Sequence, residues 1–418
     1  MRDQIALHVL VDGRHTGMLE GDARAVRLLY DTDPGPVPLS VSMPTTRRRW
    51  KHASIHPWIA GLFPDDERVL ARWRDAFGVR DHDPLALLPH VGEDVAGAAQ
   101  FVREDRLAEV MAGRSDAEPL TEQQIGSLLE AYDRTGSELG HGRFSLAGAQ
   151  TKIALQRRGD SWVLPSGAEP STHILKLPVP GLADQAVGEV LTMRAAAHLG
   201  LSVATTSLAH FAGHQVILVE RYDRRQVAGH WRRVHQEDLN QAAGLAPSFK
   251  YEEQGGLGAA GCADLLRHHA QSDEVTRFVD AVVFNFLVKG TDAHARNYSL
   301  LFSDDGRCRL APLYDLNSGL PYGVDWAQHS AMRIGGEDRF ARIDLSRWRR
   351  FATDVGLDAE QVRQSVLTMA AAVPEAIVQA TRDDDISQHA AQVAPTMVDS
   401  AVAWCERTTA WMNTSTGR

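Results

Sequence analysis

At 418 residues the chain is too long for one ordinary hydrophobic core and requires two or three packed units. Lysine and arginine number 44 against 54 aspartates and glutamates, a net charge of -10, which excludes bulk electrostatic attraction to nucleic acid and leaves room only for a local basic face. Three cysteines, Cys262, Cys308 and Cys405, odd in number and without CxxC spacing, exclude a disulfide framework and fit a reducing cytosol.

The first residues, MRDQIALHVLVDG, lack the apolar core and small-residue cleavage site of a signal peptide. No apolar run approaches the roughly 20 residues a spanning helix needs, so the expectation is a cytoplasmic protein without membrane association. Ile5, Leu7, Val9 and Val11 alternate with period two before the turn residues Asp12 and Gly13, which predicts the first strand of a hairpin. In DDERVLARWRDAFGV the spacing turns helical, with Val69, Leu70, Trp73 and Phe77 on one side. A mixed α/β region over 1–110 follows, with a boundary near MAGRSDAEPL.

A second region, 111–225, is rich in strands: KIALQRR, SWVLP, THILKLP and the pair around AGHQ ending in VILVERYD. One helix interrupts them, with Leu182, Ala186, Val190, Met193 and Ala197 at helical spacing and Gly200 as its stop. From about 226 to 418 the pattern is largely helical, and strands in blocks before helices predict an α+β fold.

Within that region Val275, Phe278, Val279, Val282, Val283 and Phe286 recur at i, i+3, i+4, i+7, i+8 and i+11, a clear amphipathic helix with Ser272 or Asp273 as cap and Gly290 to end it. The loop that follows, TDAHARN, carries Asp292, His294, Arg296 and Asn297. It runs into the strand YSLLF, a turn SDDG and a second strand CRLAPLYD ending on Asp315. In protein kinases a loop Asp takes the proton of the substrate hydroxyl, an Asn five residues later binds magnesium, and an Asp after a hairpin binds the bridging magnesium. Asn297 and Asp315 offer the oxygen ligands a hard cation prefers. The plainer account is a solvated loop and an ordinary strand-end Asp, because Asp-x4-Asn alone matches often by chance.

Further parts lie upstream. Lys176 is a single cation inside the apolar strand THILKLP, either an edge-strand guard or a phosphate-binding lysine. Glu189 in the next helix is where a kinase keeps the lysine's ion-pair partner. GHGRFSLAGAQTK is glycine-rich between strands and suits a backbone that closes on phosphates, although it lacks GxGxxG and Walker A.

FSLAGAQTK, PSTHILKLP, LVERYDR, HQEDLNQAAG, GTDAHARNYSLL and LAPLYDLNSGLPY, in this order, resemble the HipA-type serine/threonine kinases, toxins of bacterial toxin-antitoxin pairs. LSVSMP, GLFPDD and DPLALLPHVGEDVAGAAQF resemble the family's first subdomain, so the likeness runs from about 36 to 325. The resemblance implies a bilobal kinase-like fold: an extra N-terminal subdomain over 1–110, a sheet-rich N-lobe over 111–225 and an all-helical C-lobe over 226–418. It implies Asp292 as catalytic base, and Asn297 and Asp315 as magnesium ligands. ATP would be held by Lys176, by Ser145, Ala147, Gly148, Ala149 and Gln150 of the glycine loop, by Glu220, Arg221 and Tyr222 of the adenine hinge, by Gln236 on the ribose side and by His294.

Ser145 matches the serine that family members phosphorylate on themselves, and a doubly charged group in a phosphate-binding loop would repel ATP. The implied target is a translation protein such as an aminoacyl-tRNA synthetase. The implied partner is a HipB-like helix-turn-helix antitoxin, with DNA reached only through it. Two departures, Arg296 where many members carry Lys and Thr151 where an acidic residue is frequent, leave substrate preference open. Two other readings stand beside this one: a catalytically silent corepressor subunit, and a non-toxic kinase of the same fold. A basic run, TTRRRWKH over 45–52, reads more readily as a solvated face than as a DNA contact.

Overall fold

The computed structural model describes residues 4–113, 119–135, 145–148, 150–165, 169–182, 184–383 and 385–414. The chain divides into two compact units, the first comprising Met1–Pro178, Ala209–Ser248 and Leu300–Cys308, the second Val179–Leu208, Phe249–Ser299 and Arg309–Arg418. No helix among the described residues is long and apolar enough to cross a membrane.

The first unit begins with a five-stranded antiparallel sheet in the order Arg49–Lys51, Arg27–Tyr30, Arg14–Gly21, Ile5–Val11, Ala99–Val102. Ile5, Leu7 and Val9 point into its core as the alternation requires. A register shift after Val9 then buries Leu10 as well, against Val102 and Val110. The expected helix forms over Glu67–Phe77, started by the Asp66 carboxylate accepting from the Arg68 amide and stopped by Gly78 at φ 66°. Its Leu70 and Trp73 join Trp58, Ile59 and Phe101 in one apolar cluster.

The second sheet has six strands in the order Thr206–Phe211, His214–Glu220, His173–Lys176, Lys152–Arg158, Ser161–Val163, Pro119–Leu120. The lysine-bearing strand is internal: Lys176 is paired with Lys152 on one side and with Ile217 on the other, and is 7% exposed. An edge guard must stand at an edge, so that explanation of Lys176 falls away.

The second unit is built of helices, chiefly Gln185–His198, Glu274–Leu287, Ala359–Ala380 and Ala394–Met412. Its core centres on Phe286, whose ring meets Trp348 and Trp404 at 5.3 Å and Phe340 at 5.9 Å, while the Trp404 indole donates to the Phe286 carbonyl at 3.0 Å. The helix Gln185–His198 is buried on nearly every side from Gln185 to Ala196 rather than along one stripe, and Ala197, expected on that stripe, is exposed. An all-helical lobe over 226–418 was the expectation; within those bounds the structure also has the strand His230–Arg233, a three-stranded sheet of Gln236–Asp238, Ser299–Phe302 and Cys308–Leu310, and a ribbon of His329–Ile334 with Glu337–Arg339 turned by Gly335 and Gly336, both at positive φ.

Candidate active site

The helix Glu274–Leu287 buries all six of the expected apolar positions and delivers the polar loop. It ends differently from expectation. Lys289, not Gly290, takes the left-handed conformation, at φ 53°, with its ammonium 4.7 Å from the Trp404 ring. Gly290 is required for closeness instead: a Cβ there would stand 2.7 Å from Asn285 Oδ1 and 3.0 Å from the Asn317 carbonyl. Asp273 precedes the helix without a side-chain cap bond.

Within the second unit the loop folds on itself around Asp292. The Asp292 carbonyl accepts from the His294 amide and from Asn297 Nδ2, both at 2.9 Å, which leaves the Asn297 amide oxygen as a hard donor atom. The Asp292 carboxylate is half exposed, and its Oδ1 accepts from the Tyr251 hydroxyl at 2.7 Å. His294 Nε2 lies 3.7 Å from the same oxygen. Burial pulls the His294 ring below its usual pKa against the opposing pull of Asp292, so the ring is neutral near pH 7. Its Nδ1 is buried with no hydrogen-bond partner among the described residues. A buried, unpartnered ring nitrogen beside a half-exposed carboxylate fits a polar ligand such as a nucleotide.

Asp315 is brought to the same loop through its neighbour. The strand Cys308–Leu310 ends earlier than CRLAPLYD predicts, because Pro312 has no amide to continue a ladder. Tyr314 then takes over: its hydroxyl donates to the Arg296 carbonyl at 2.8 Å and meets Ser299 Oγ at 2.7 Å. Asp315 follows at φ 59°, a conformation that Asp tolerates better than most residues and that marks sites held by their surroundings. The Asn297 and Asp315 oxygens are a donor set suited to magnesium, which commonly takes one or two protein ligands beside water and phosphate. In the helix Gln185–His198 of this unit Glu189 is 2% exposed and accepts from Gln185 Nε2 at 2.9 Å.

In the first unit the described part of the glycine loop is tied down at both ends. Gln150 Nε2 donates to the Leu177 carbonyl at 2.5 Å and the Leu177 amide to the Thr151 carbonyl at 3.0 Å, so the end of the loop is pinned to the residue after Lys176. Lys152 Nζ donates to the Ala147 carbonyl, and Gly148, at φ 104°, makes a parallel bridge with Pro64. Ser145 is fully buried, its hydroxyl donating to the Leu62 carbonyl at 2.8 Å and its amide to the Asp94 carbonyl at 3.1 Å. Ala149 and residues 140–144 of the loop lie outside the described residues.

Of the expected hinge residues, Glu220 is exposed at the end of its strand, and Tyr222 bonds through its hydroxyl to Gln236 Oε1. Arg221 has another use. Its guanidinium is buried against both Asp223 oxygens at 2.8–2.9 Å, Ser171 Oγ at 2.8 Å and the Val95 carbonyl at 2.9 Å, and its amide is bonded to the Thr172 carbonyl, so its side chain serves the packing of this region. Arg224 joins the network through Asp94 Oδ1 at 2.9 Å, and Arg233 approaches the same oxygen at 3.4 Å. Burial pushes Asp223 up, yet Arg221 and Arg224 outweigh it and hold the carboxyl well below its ordinary range. Desolvation pulls Arg224 down to about 10. This network fastens residues 94–97 of the first sheet's region to the strands of the second.

Two features were not foreseen from sequence. The charge density of VERYDRR hints at an ionic network, but nothing local reveals that its carboxylate partner is Asp94. Tyr251 stands in FKYEEQGG, a loop-like stretch in which a tyrosine flanked by Lys250 and Glu252 was the only signal.

Two family models match the chain: the HipA N-terminal domain over residues 7–102 and the HipA-like C-terminal domain over 144–377. Y4mE of Sinorhizobium fredii is 34% identical over 389 residues, covering 90% of this chain and 92% of that protein. The serine/threonine-protein kinase toxin HipA of Shewanella oneidensis is 28% identical over 380 residues, 86% of this chain and 84% of its own. A solved structure of the Shewanella oneidensis toxin-antitoxin system, HipA and HipB with operator DNA, superposes with a TM-score of 0.82 at 26% identity, covering 97% of this chain and 98% of that one.

Proposed function

The chain belongs to the HipA family, and from that premise we propose that it is an ATP- and magnesium-dependent protein serine/threonine kinase acting as the toxin of a toxin-antitoxin pair. The observation that carries the reading is the loop of the second unit, where Asp292, His294 and Asn297 are locked together and Tyr314 ties the Asp315 segment to the same loop.

In this reading Asp292 accepts the proton of a serine hydroxyl as its oxygen bonds to the γ-phosphorus and the bond to the ADP oxygen breaks. His294 offers its buried Nδ1 to the nucleotide, and Lys176 holds the phosphates with the amides of Ala147, Gly148, Ala149 and Gln150. Glu220 and Tyr222 border the adenine and Gln236 the ribose. Bound through Asn297 and Asp315, magnesium would supply charge neutralisation on the phosphates. Positioning and electrostatics then supply the rate, since the protein itself has little covalent work to do.

Ser145 is the proposed self-phosphorylation site. Because it is fully buried, its segment must leave its seat on Leu62 and Asp94 before or during modification. The targets proposed are translation proteins such as an aminoacyl-tRNA synthetase, with growth arrest as the outcome. A HipB-like antitoxin is the proposed partner, with DNA engaged through it; the composition of the superposing HipA complex supports this.

The test is transfer of radiolabelled phosphate from ATP with magnesium, comparing the parent with Asp292→Asn and Ser145→Ala, alone and with a bacterial lysate. Label that vanishes with Asp292→Asn is expected, and a labelled lysate band names the target. A folded, unphosphorylated parent that transfers no label leaves the silent corepressor.

A further inference from the structure

The segment Phe249–Gly258 reaches the catalytic loop with a fixed shape. The Gln254 and Gly256 amides both donate to the Tyr251 carbonyl at 3.0 Å, and a Cβ on Gly256 would lie 2.1 Å from the Phe249 carbonyl, so only glycine closes this turn. Glu252 Oε2 accepts from the Arg333 amide at 2.9 Å and anchors the far side. From this seat Tyr251 makes two contacts. Its hydroxyl donates to Asp292 Oδ1 at 2.7 Å, and its ring stands edge-on to His294 with centroids 5.1 Å apart. Lys250 Nζ lies 5.1 Å from the same tyrosine ring.

We propose that Tyr251 is a positioning residue for phosphoryl transfer: its hydroxyl fixes one carboxylate oxygen of Asp292, and its ring sets the orientation of His294. This rests on Asp292 being the base. A half-exposed aspartate on a loop samples several rotamers, and a hydroxyl holding Oδ1 selects one, leaving Oδ2 as the oxygen that takes the acceptor's proton. The two contacts separate by function. The hydroxyl serves the chemical step, whereas the ring serves the nucleotide side.

That separation is what the experiment reads. ADP release is followed with ATP and magnesium in the presence of dephosphorylated casein, a generic serine acceptor, for the parent, Tyr251→Phe, Tyr251→Leu and Asp292→Asn, with thermal midpoints measured alongside. Tyr251→Phe keeps the ring, so kcat should fall about 10- to 100-fold with the KM for ATP within about twofold. Tyr251→Leu should lose kcat and also raise the KM for ATP several-fold. If Tyr251→Phe unfolds, Tyr251→Gln restores a donor and replaces it in the comparison with Tyr251→Leu. A folded Tyr251→Phe with the parent's kcat, beside an inactive Asp292→Asn, overturns the proposal alone. An active Asp292→Asn, or a parent that turns over no ATP, overturns the reading beneath it.

Discussion

The Ser145 hydroxyl donates to the Leu62 carbonyl at 2.8 Å from a fully buried position. A phosphate cannot be accommodated there, because a buried double charge without cations would cost many kcal/mol. Ser145→Ala should therefore abolish self-labelling while costing only about 1 kcal/mol of stability, the worth of one hydrogen bond. Ser145→Asp should unfold the segment's seat and lower the thermal midpoint far more. Phosphopeptide mass spectrometry with thermal melts checks both, and label persisting at full level in Ser145→Ala would move the site elsewhere.

Three buried guanidiniums, Arg221, Arg224 and Arg233, face two buried carboxylates, Asp94 and Asp223. Removing one carboxylate leaves uncompensated cations in a dry interior. Asp94→Asn should cost about 3–5 kcal/mol in urea unfolding. A loss below 1 kcal/mol would mean that water enters the network.

His235 and Glu237 flank Gln236 and titrate in opposite senses. Desolvation lowers His235 to about 4 from 6.5, so its contribution is full above pH 6.5 and is lost as pH falls toward 4. Desolvation raises Glu237 to about 7 from 4.5 despite the Trp58 and Val41 donors, so its contribution is full below pH 4.5 and is lost as pH rises through 7. Each is worth roughly 3 kcal/mol at the limit, and between pH 4.5 and 6.5 they offset one another. The parent's melting temperature should be nearly flat in that window, and Glu237→Gln should acquire a slope that falls toward acid. Equal slopes in parent and variant would contradict the pairing.

Tyr314 ties the Asp315 segment to the polar loop through Arg296 and Ser299. Tyr314→Phe should raise the magnesium concentration needed for half-maximal activity about 10-fold, with a modest change in stability of about 1–2 kcal/mol. An unchanged magnesium titration would show that the loop is held by other means.

The local grammar of the chain was legible without coordinates. The alternation at Ile5, Leu7 and Val9, the Asp66 cap with Gly78, and the stripe from Val275 to Phe286 each act through neighbours a few residues away, so their period reveals them. The α+β class and the HipA resemblance followed from the order of such segments. Lys289 taking the place expected of Gly290 was not legible, because Trp404, a distant aromatic, stabilises a lysine in a conformation its own propensity disfavours.

What the sequence by itself determined is the fold class, the family resemblance and the order in which the candidate residues come. Only the tertiary structure decided what holds them: Tyr251 on Asp292 across 41 positions, and Asp94 on Arg224 across 130. The physical reason is the reach of each interaction. Periodicity and capping are set within a turn or two of the backbone, whereas a hydrogen bond between distant segments exists only after packing has removed the water and fixed both partners.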